Sequence, residues 1–392
     1  MPRRFDARRI HGIEQSDIRK MSRLCAEFGG VNLGQGICDQ PTPAPVKDAA
    51  KAAIDADRSI YSKYEGIDPL RAAIARKMAD YNHLPCDPDT EVLVTAGSTG
   101  GFVAAVLSFV EEGDEVILFS PFYGYHLNVL RLARPTIRSI TLRGEEWAFD
   151  RDELARAFNS KTKAICINTP CNPCGKVFTR DELECIAALC VEHDCLAITD
   201  EIYEYILYDG REHVSIATLP GMRERTITLS GFSKTYNMTG WRLGYSVAPA
   251  ALTGPMGVLA DLLYICAPTP LQHGVLAAFD LPPRYYRELL DDYARKRATI
   301  MAACDAVGLR SLPPQGSYYL MVDVREAGLA SDREAADVLM RRCGVATVPG
   351  SSFYVDPKDG ATQLRICFAK QDHDLATACE GLAKLAKVHT RA

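Results

Sequence analysis

Ser230-Gly231-Phe232-Ser233-Lys234-Thr235-Tyr236-Asn237-Met238-Thr239-Gly240-Trp241-Arg242-Leu243-Gly244-Tyr245 sets one lysine among glycines and hydroxyl side chains, with an arginine eight positions on. A solvated surface lysine has no need of glycines beside it. A lysine that forms an imine with a carbonyl, and an arginine that holds a phosphate, both need close backbone approach, which glycine permits. Two apolar runs flank the lysine, Thr226 to Leu229 and Leu243 to Val247, and read as short buried strands.

The same alternation extends upstream. Leu196 to Thr199 is another strand candidate and delivers Asp200-Glu201-Ile202-Tyr203 at its carboxyl end. Ala164 to Ile167 leads into Asn168-Thr169-Pro170-Cys171-Asn172-Pro173-Cys174-Gly175. Val92 to Thr95 leads into Ala96-Gly97-Ser98-Thr99-Gly100-Gly101 and then a helical pattern, an arrangement suited to phosphate. Glu115 to Phe119 is a further strand candidate, and helical spacing marks Asp68 to Tyr81, Gly101 to Glu111, Arg180 to His193 and Tyr286 to Val307. An α/β fold follows: a mostly parallel sheet covered by helices on both faces, with ligands at the carboxyl ends of the strands. From about Leu281 the pattern changes to a long charged helix and shorter strands near Tyr318 to Val322 and Gln363 to Phe368, a smaller α+β domain. Internal repeats and low-complexity tracts are absent.

With 392 residues, 47% hydrophobic and 24% charged, the chain is long enough for a large core and two domains. A net charge of −5 argues against nonspecific nucleic-acid binding. The start, Met1-Pro2-Arg3-Arg4-Phe5-Asp6, has no apolar stretch behind it and so fits neither a secretory nor a twin-arginine signal; with no membrane span, a cytoplasmic protein is expected. The fourteen cysteines are then expected as scattered reduced thiols. Cys171 and Cys174 form a C-x-x-C spacing, but no second pair or nearby histidines complete a zinc site, so no metal is expected.

Taken in order, these motifs resemble the class I/II aminotransferases of the aspartate aminotransferase-like superfamily, fold-type I enzymes that use pyridoxal 5'-phosphate, and the stretch around Lys234 resembles their Schiff-base segment. The resemblance runs from about Asn32 to Phe368. It implies a large domain with a mostly parallel seven-stranded sheet, residues 46–280, and a small domain, residues 281–392, joined by an N-terminal arm, residues 1–45. It further implies reversible ping-pong amino transfer between an L-amino acid and a 2-oxo acid, with 2-oxoglutarate or pyruvate as acceptor, in a homodimer with shared active sites. Within the same fold the alternatives are a carbon-sulfur β-lyase or another biosynthetic enzyme of this cofactor. A noncatalytic regulator that binds the cofactor is the reading from another class, and the chain shows no helix-turn-helix module ahead of the enzyme domain to favour it.

The resemblance also implies roles. Lys234 would hold the cofactor and then carry the proton at the substrate α-carbon, its pKa lowered among cationic groups. Asp200 would pair with the pyridine nitrogen, although a helix N-cap is the plain use of aspartate there. Tyr203 and Asn172 would bond the ring's 3-oxygen. Gly97, Ser98, Thr99 and Arg242 would hold the phosphate. Many members place a serine three residues before the lysine; this chain has Gly231 there, between Ser230 and Ser233, and Ser233 is taken as the hydroxyl. Tyr61, with Tyr64 as local competitor, would reach the neighbouring subunit's phosphate. Within Pro121-Phe122-Tyr123-Gly124-Tyr125, Tyr123 would cover the cofactor ring. Arg365, in the apolar stretch Leu364 to Phe368 that follows Val348 to Phe353, would fork onto the substrate α-carboxylate, assisted by Asn172 and the Gly36 backbone. The lysine that some aspartate-preferring relatives carry after the phosphate loop has no counterpart, since neither Lys nor Arg occurs between Gly97 and Pro121. Phe122, Tyr123, Tyr125 and Tyr264 suit an apolar or aromatic side chain, while Arg19 and Arg23 are the arm residues able to reach a dicarboxylate.

Overall fold

Apolar runs of four to seven residues, too short for helices, fold as neighbouring strands once helices cover both of their faces. The computed structural model describes residues 5–13 and 15–386; the basic start at Met1 to Arg4 lies outside them. The chain opens with α1 (Asp17–Phe28), β1 (Val31–Asn32), α2 (Ala44–Asp55) and α3 (Asp68–Asp80). Strand and helix then alternate through β2 (Val92–Thr95), α4 (Gly97–Phe109), β3 (Glu115–Ser120), α5 (Gly124–Ala133), β4 (Thr136–Thr141), α6 (Arg151–Ala157), β5 (Thr162–Asn168), α7 (Arg180–Glu192) and β6 (Leu196–Asp200). Two more strands, β7 (Thr226–Gly231) and β8 (Gly244–Val247), precede α8 (Ala250–Tyr264) and α9 (Thr269–Leu276). The rest comprises α10 (Pro283–Asp305), β9 (Arg310–Leu312), β10 (Tyr319–Asp323), α11 (Asp332–Val338), β11 (Val345–Ala346), β12 (Val348–Pro349), β13 (Gln363–Cys367) and α12 (Asp372–Leu382).

The large sheet has seven strands in the order β2-β8-β7-β6-β5-β3-β4. Five neighbours from β7 to β4 run parallel, and β8 runs antiparallel to both β7 and β2. The period-2 geometry of β3 sends Val116 and Leu118 to one face, with Phe102 of α4 and Leu130 of α5, and Ile117 and Phe119 to the other, with Leu183 and Ile186 of α7. Each fully buried aliphatic side chain of this kind contributes roughly 1.5–3 kcal/mol. The helix α7 is fixed at its start by a capping box, Thr179 with Glu182.

The edge strand β4 has no counterpart in the sequence reading, because Thr136-Ile137-Arg138-Ser139-Ile140-Thr141 is largely polar and half exposed. Its Arg138 lies along the sheet edge and bonds Glu115 through two nitrogens, at 2.8 and 2.9 Å. The helix after β2 begins at Gly97, four residues before its expected start. A second, antiparallel sheet, β12-β13-β10-β9, lies toward the C-terminus. Met21, Cys25 and Leu33 from the N-terminal segment share one apolar cluster with Leu320, Ile366 and Leu375. Among the described residues no helix is long and apolar enough to cross a membrane.

Candidate active site

Reversal of β8 is what gathers the motif residues. The parallel strands end at Asn168, Asp200 and Gly231 on one edge of the sheet, and β8 begins on that edge, with Gly244 opposite both Gly231 and Thr95. Arg242, two residues before β8, therefore arrives beside the start of α4. Gly97 (φ +72°) and Gly244 make this approach possible: a Cβ at Gly97 would lie 2.5 Å from the Arg242 guanidinium, and one at Gly244 would lie 2.5 Å from the Ser98 amide nitrogen. Arg242 itself has φ +55° and donates to the Thr239 carbonyl at 3.0 Å. A helix start, two hydroxyls from Ser98 and Thr99, and a guanidinium are the donors a dianion needs.

Asp200 ends β6 with its carboxylate 3.0 Å from Nε2 of His126. Both are buried, and His126 is held by Phe102 and by the edge of Tyr123. The sequence reading missed His126: a lone histidine three residues after Tyr123 carries no signal until the fold brings α5 over β6. Asn168 ties the neighbouring loops, donating to the Asp200 carbonyl at 2.8 Å and accepting from the Asn172 amide at 2.7 Å.

Lys234 donates through Nζ to the Gly36 carbonyl at 3.3 Å and lies against the rings of Tyr203 and Tyr318. Its pKa is lowered, as expected, but burial is the main cause; Arg242 adds to the effect, and Cys38, Cys367 and Asp200 oppose it. The Tyr203 hydroxyl lies 3.2 Å from that of Tyr319, and burial with neighbouring tyrosines pushes its phenol well above the ordinary value, so it stays a neutral donor.

Arg365, on β13, is 0% exposed. It donates to Asn172 Oδ1 at 2.9 Å and to the Gly34 carbonyl, and its guanidinium packs 4.4 Å from the Tyr319 ring and 4.9 Å from that of Phe353. Its Nε has no hydrogen-bond partner, and among the described residues no carboxylate pairs with it. A buried cation without a counter-ion is expensive unless an anionic ligand completes it.

Lys234, Asp200, Tyr203, Asn172, Arg242 and Arg365 open onto one cavity of about 420 Å³, lined also by Gly36, Ser98, Thr99, Tyr123 and Ser233, while His126 stands outside it. Gly97 lies behind Arg242. Ser230 is drawn away, donating to Glu204 at 2.7 Å, which leaves Ser233 as the cavity hydroxyl. Tyr61 does not line the cavity and is 76% exposed, whereas Tyr64 packs over Gly257 of α8. Of the proposed substrate-pocket aromatics, Tyr123 and Tyr125 line the cavity and Phe122 and Tyr264 do not; of the arm arginines, Arg19 lines it and Arg23 does not. Cys171 and Cys174 are buried behind it, and their mutual hydrogen bond, with burial, pushes the Cys171 thiol up. Glu201, Glu204 and His213 cluster nearby, with Lys77 2.6 Å from Glu204 and His213 2.8 Å from Glu201.

Comparison with known proteins fits this geometry. The family described as aminotransferase class I and II matches residues 29–382. The chain is 35% identical over 407 residues to kynurenine–oxoglutarate transaminase 3 of Bos taurus, covering 96% of this chain and 89% of that protein. It is likewise 35% identical over 381 residues to an aspartate aminotransferase of Pyrococcus abyssi, covering 96% and 97%. The structure of N-succinyldiaminopimelate aminotransferase from Mycobacterium tuberculosis superposes with a TM-score of 0.94 at 34% identity, covering 97% of this chain and all of that one.

Proposed function

This chain belongs to the class I and II aminotransferases, and on that premise we propose that it moves an amino group from an L-amino acid to 2-oxoglutarate with pyridoxal 5'-phosphate held in the cavity at Lys234. The observation that carries the reading is the set Lys234, Asp200, Arg242 and Arg365 on one cavity, each buried or braced as its role requires. When bound, the cofactor supplies a carbonyl that condenses with amines and a ring that accepts the electron pair left at the substrate α-carbon.

Arg242, Ser98, Thr99 and Ser233 bind the phosphate. Asp200, steadied by His126, accepts from the ring nitrogen, and Tyr203 and Asn172 donate to the ring oxygen while Tyr123 covers the ring. Arg365 binds the α-carboxylate and so orients the α-hydrogen. Lys234, its proton affinity reduced by burial, would take the proton from the substrate α-carbon and deliver it to the cofactor's carbonyl-derived carbon, the relocation that amino transfer requires. Tyr203 and Tyr319, both buried, give that transfer an aromatic wall.

The chain is further read as a homodimer, with residues 46–280 as the large domain and the segments on either side forming the small one. Ile60, Tyr61 and Leu262 are 79%, 76% and 78% exposed, and Tyr64 packs residues 60–64 against α8, which supports a common apolar face for a second copy and a Tyr61 that crosses it. Fourteen cysteines, all free, support a reducing cytoplasmic setting. Absorption spectroscopy of the protein with cofactor tests the central reading. The visible band should vanish with an amino-acid mixture, return with 2-oxoglutarate, and be missing in Lys234→Ala; a band that never cycles, with pyruvate and ammonia released instead, would replace transfer by β-elimination.

A further inference from the structure

Three arginines line the cavity, and the proposed function employs two of them, Arg242 for phosphate and Arg365 for the α-carboxylate. Arg19 remains. Its backbone lies in the first turn of α1, which is fastened from both sides. Ser16 caps Ile18 at 3.2 Å, Asp17 accepts from Ser352 of the C-terminal part at 2.6 Å, and Arg131 of α5 donates to the Gly12 carbonyl at 3.0 Å. One turn on, Ser22 donates to the Ile18 carbonyl at 2.8 Å. The guanidinium of Arg19, by contrast, is exposed and makes no hydrogen bond or ion pair among the described residues. A fixed backbone thus presents an uncommitted guanidinium at the mouth of the cavity, beside Ile18 and Tyr125.

Charge sharpens the point. The cavity carries Arg19, Lys234, Arg242 and Arg365 against one carboxylate, Asp200, which His126 already engages. A phosphate and one α-carboxylate use Arg242 and Arg365, so the wall holds one guanidinium more than a monocarboxylic substrate can occupy. We propose that Arg19 is a specificity residue that receives the distal carboxylate of dicarboxylic amino and 2-oxo acids, an inference that rests on the transaminase reading of the cavity. Because Arg19 is solvated, its contribution lies between that of an exposed ion pair and that of a forked charge-assisted contact, roughly tenfold in specificity, and it weakens with salt.

Holoenzyme of Arg19→Met is compared with wild type, with Arg23→Met, one turn farther along α1 and off the cavity, as the charge-matched control. The ratio of kcat/KM for L-glutamate to that for L-alanine should fall about tenfold in Arg19→Met and hold in Arg23→Met. Calorimetric affinity for glutarate relative to butyrate, neither of which reacts, should fall by a similar factor. An unchanged glutarate-to-butyrate ratio in Arg19→Met, or an equal fall in Arg23→Met, overturns the proposal. If no amino acid reacts with the wild-type enzyme, the transaminase reading fails, and the two unreactive acids still decide the role of Arg19.

Discussion

Replacing Arg365 by Met should nearly abolish use of amino acids while leaving the fold about as stable as before. Methionine fills the slot between the rings of Tyr319 and Phe353 with an apolar chain of similar length. Two acceptors, Asn172 Oδ1 and the Gly34 carbonyl, lose their donor, at about 1–3 kcal/mol each. The attraction between guanidinium and rings, about 0.5–2 kcal/mol, goes as well. Against this, the native protein no longer buries a cation without a carboxylate partner, a penalty of several kcal/mol. At mid-range values these contributions offset to within about 2 kcal/mol of zero, and at their extremes to within about 4 kcal/mol. The substrate, however, loses a forked, charge-assisted contact worth about 2–5 kcal/mol, or roughly thirty- to several thousand-fold in kcat/KM. Because the α-carboxylate is held before and during the reaction, much of the loss should appear in KM. Urea unfolding of the cofactor-free protein and steady-state kinetics of the holoenzyme measure the two sides. A variant that loses more than about 4 kcal/mol of stability yet keeps kcat/KM within a few-fold would show that Arg365 is structural and refute the reasoning.

Burial depresses the Lys234 pKa in the folded state, so between that value and the ordinary lysine value the unfolded chain binds more protons and stability rises with pH. Cofactor-free Lys234→Met should therefore be more stable than wild type at neutral pH, and pH-resolved urea melts should show the advantage shrinking toward the ordinary lysine pKa; a gain that grows with pH contradicts the depressed value. His126→Phe leaves the buried Asp200 carboxylate without its side-chain donor, and fluorescence titration should find cofactor affinity reduced about tenfold, the equivalent of 1–2 kcal/mol. Partial recovery in His126→Asn would separate the donated hydrogen bond from ring packing. Gly244→Ala forces a Cβ against the Ser98 amide and should destabilise by about 1–3 kcal/mol while weakening phosphate binding.

Motif residues on apolar strands were legible because a short buried run fixes the strand, and the polar residue within or after it either matches the family pattern or, for an arginine, is costly without a partner. Asp200 after Leu196 to Thr199, and Arg365 inside Leu364 to Phe368, are both of this kind. The polar edge strand β4 offers no such run, and the start of α4 hides behind glycines that serve Arg242 rather than the helix. His126 was invisible for a different reason. Its partner lies seventy-four residues away on another element, and nothing local distinguishes it from a surface histidine. Ser233 was already the choice over Ser230 in the sequence, and the structure adds a physical reason for it: Glu204 accepts from the Ser230 hydroxyl.

Uncompensated positive charge connects these observations. Lys77 and Glu204 pair in a buried contact, and Asp200 has His126, yet Lys234 has only a carbonyl and Arg365 only neutral partners. A protein that can pair buried charges this closely in one place leaves two unpaired in another at a cost in stability. Ligand binding then returns part of that free energy, because the substrate carboxylate arrives where the buried donors of Arg365 already point. It follows that anionic ligand at one fixed, saturating concentration should stabilise the wild type far more than Arg365→Met, since binding shifts unfolding by an amount set by the ratio of that concentration to Kd. Thermal melts with glutarate, which leaves the chemistry idle, isolate this coupling: equal shifts in both proteins would mean that the buried guanidinium faces no ligand.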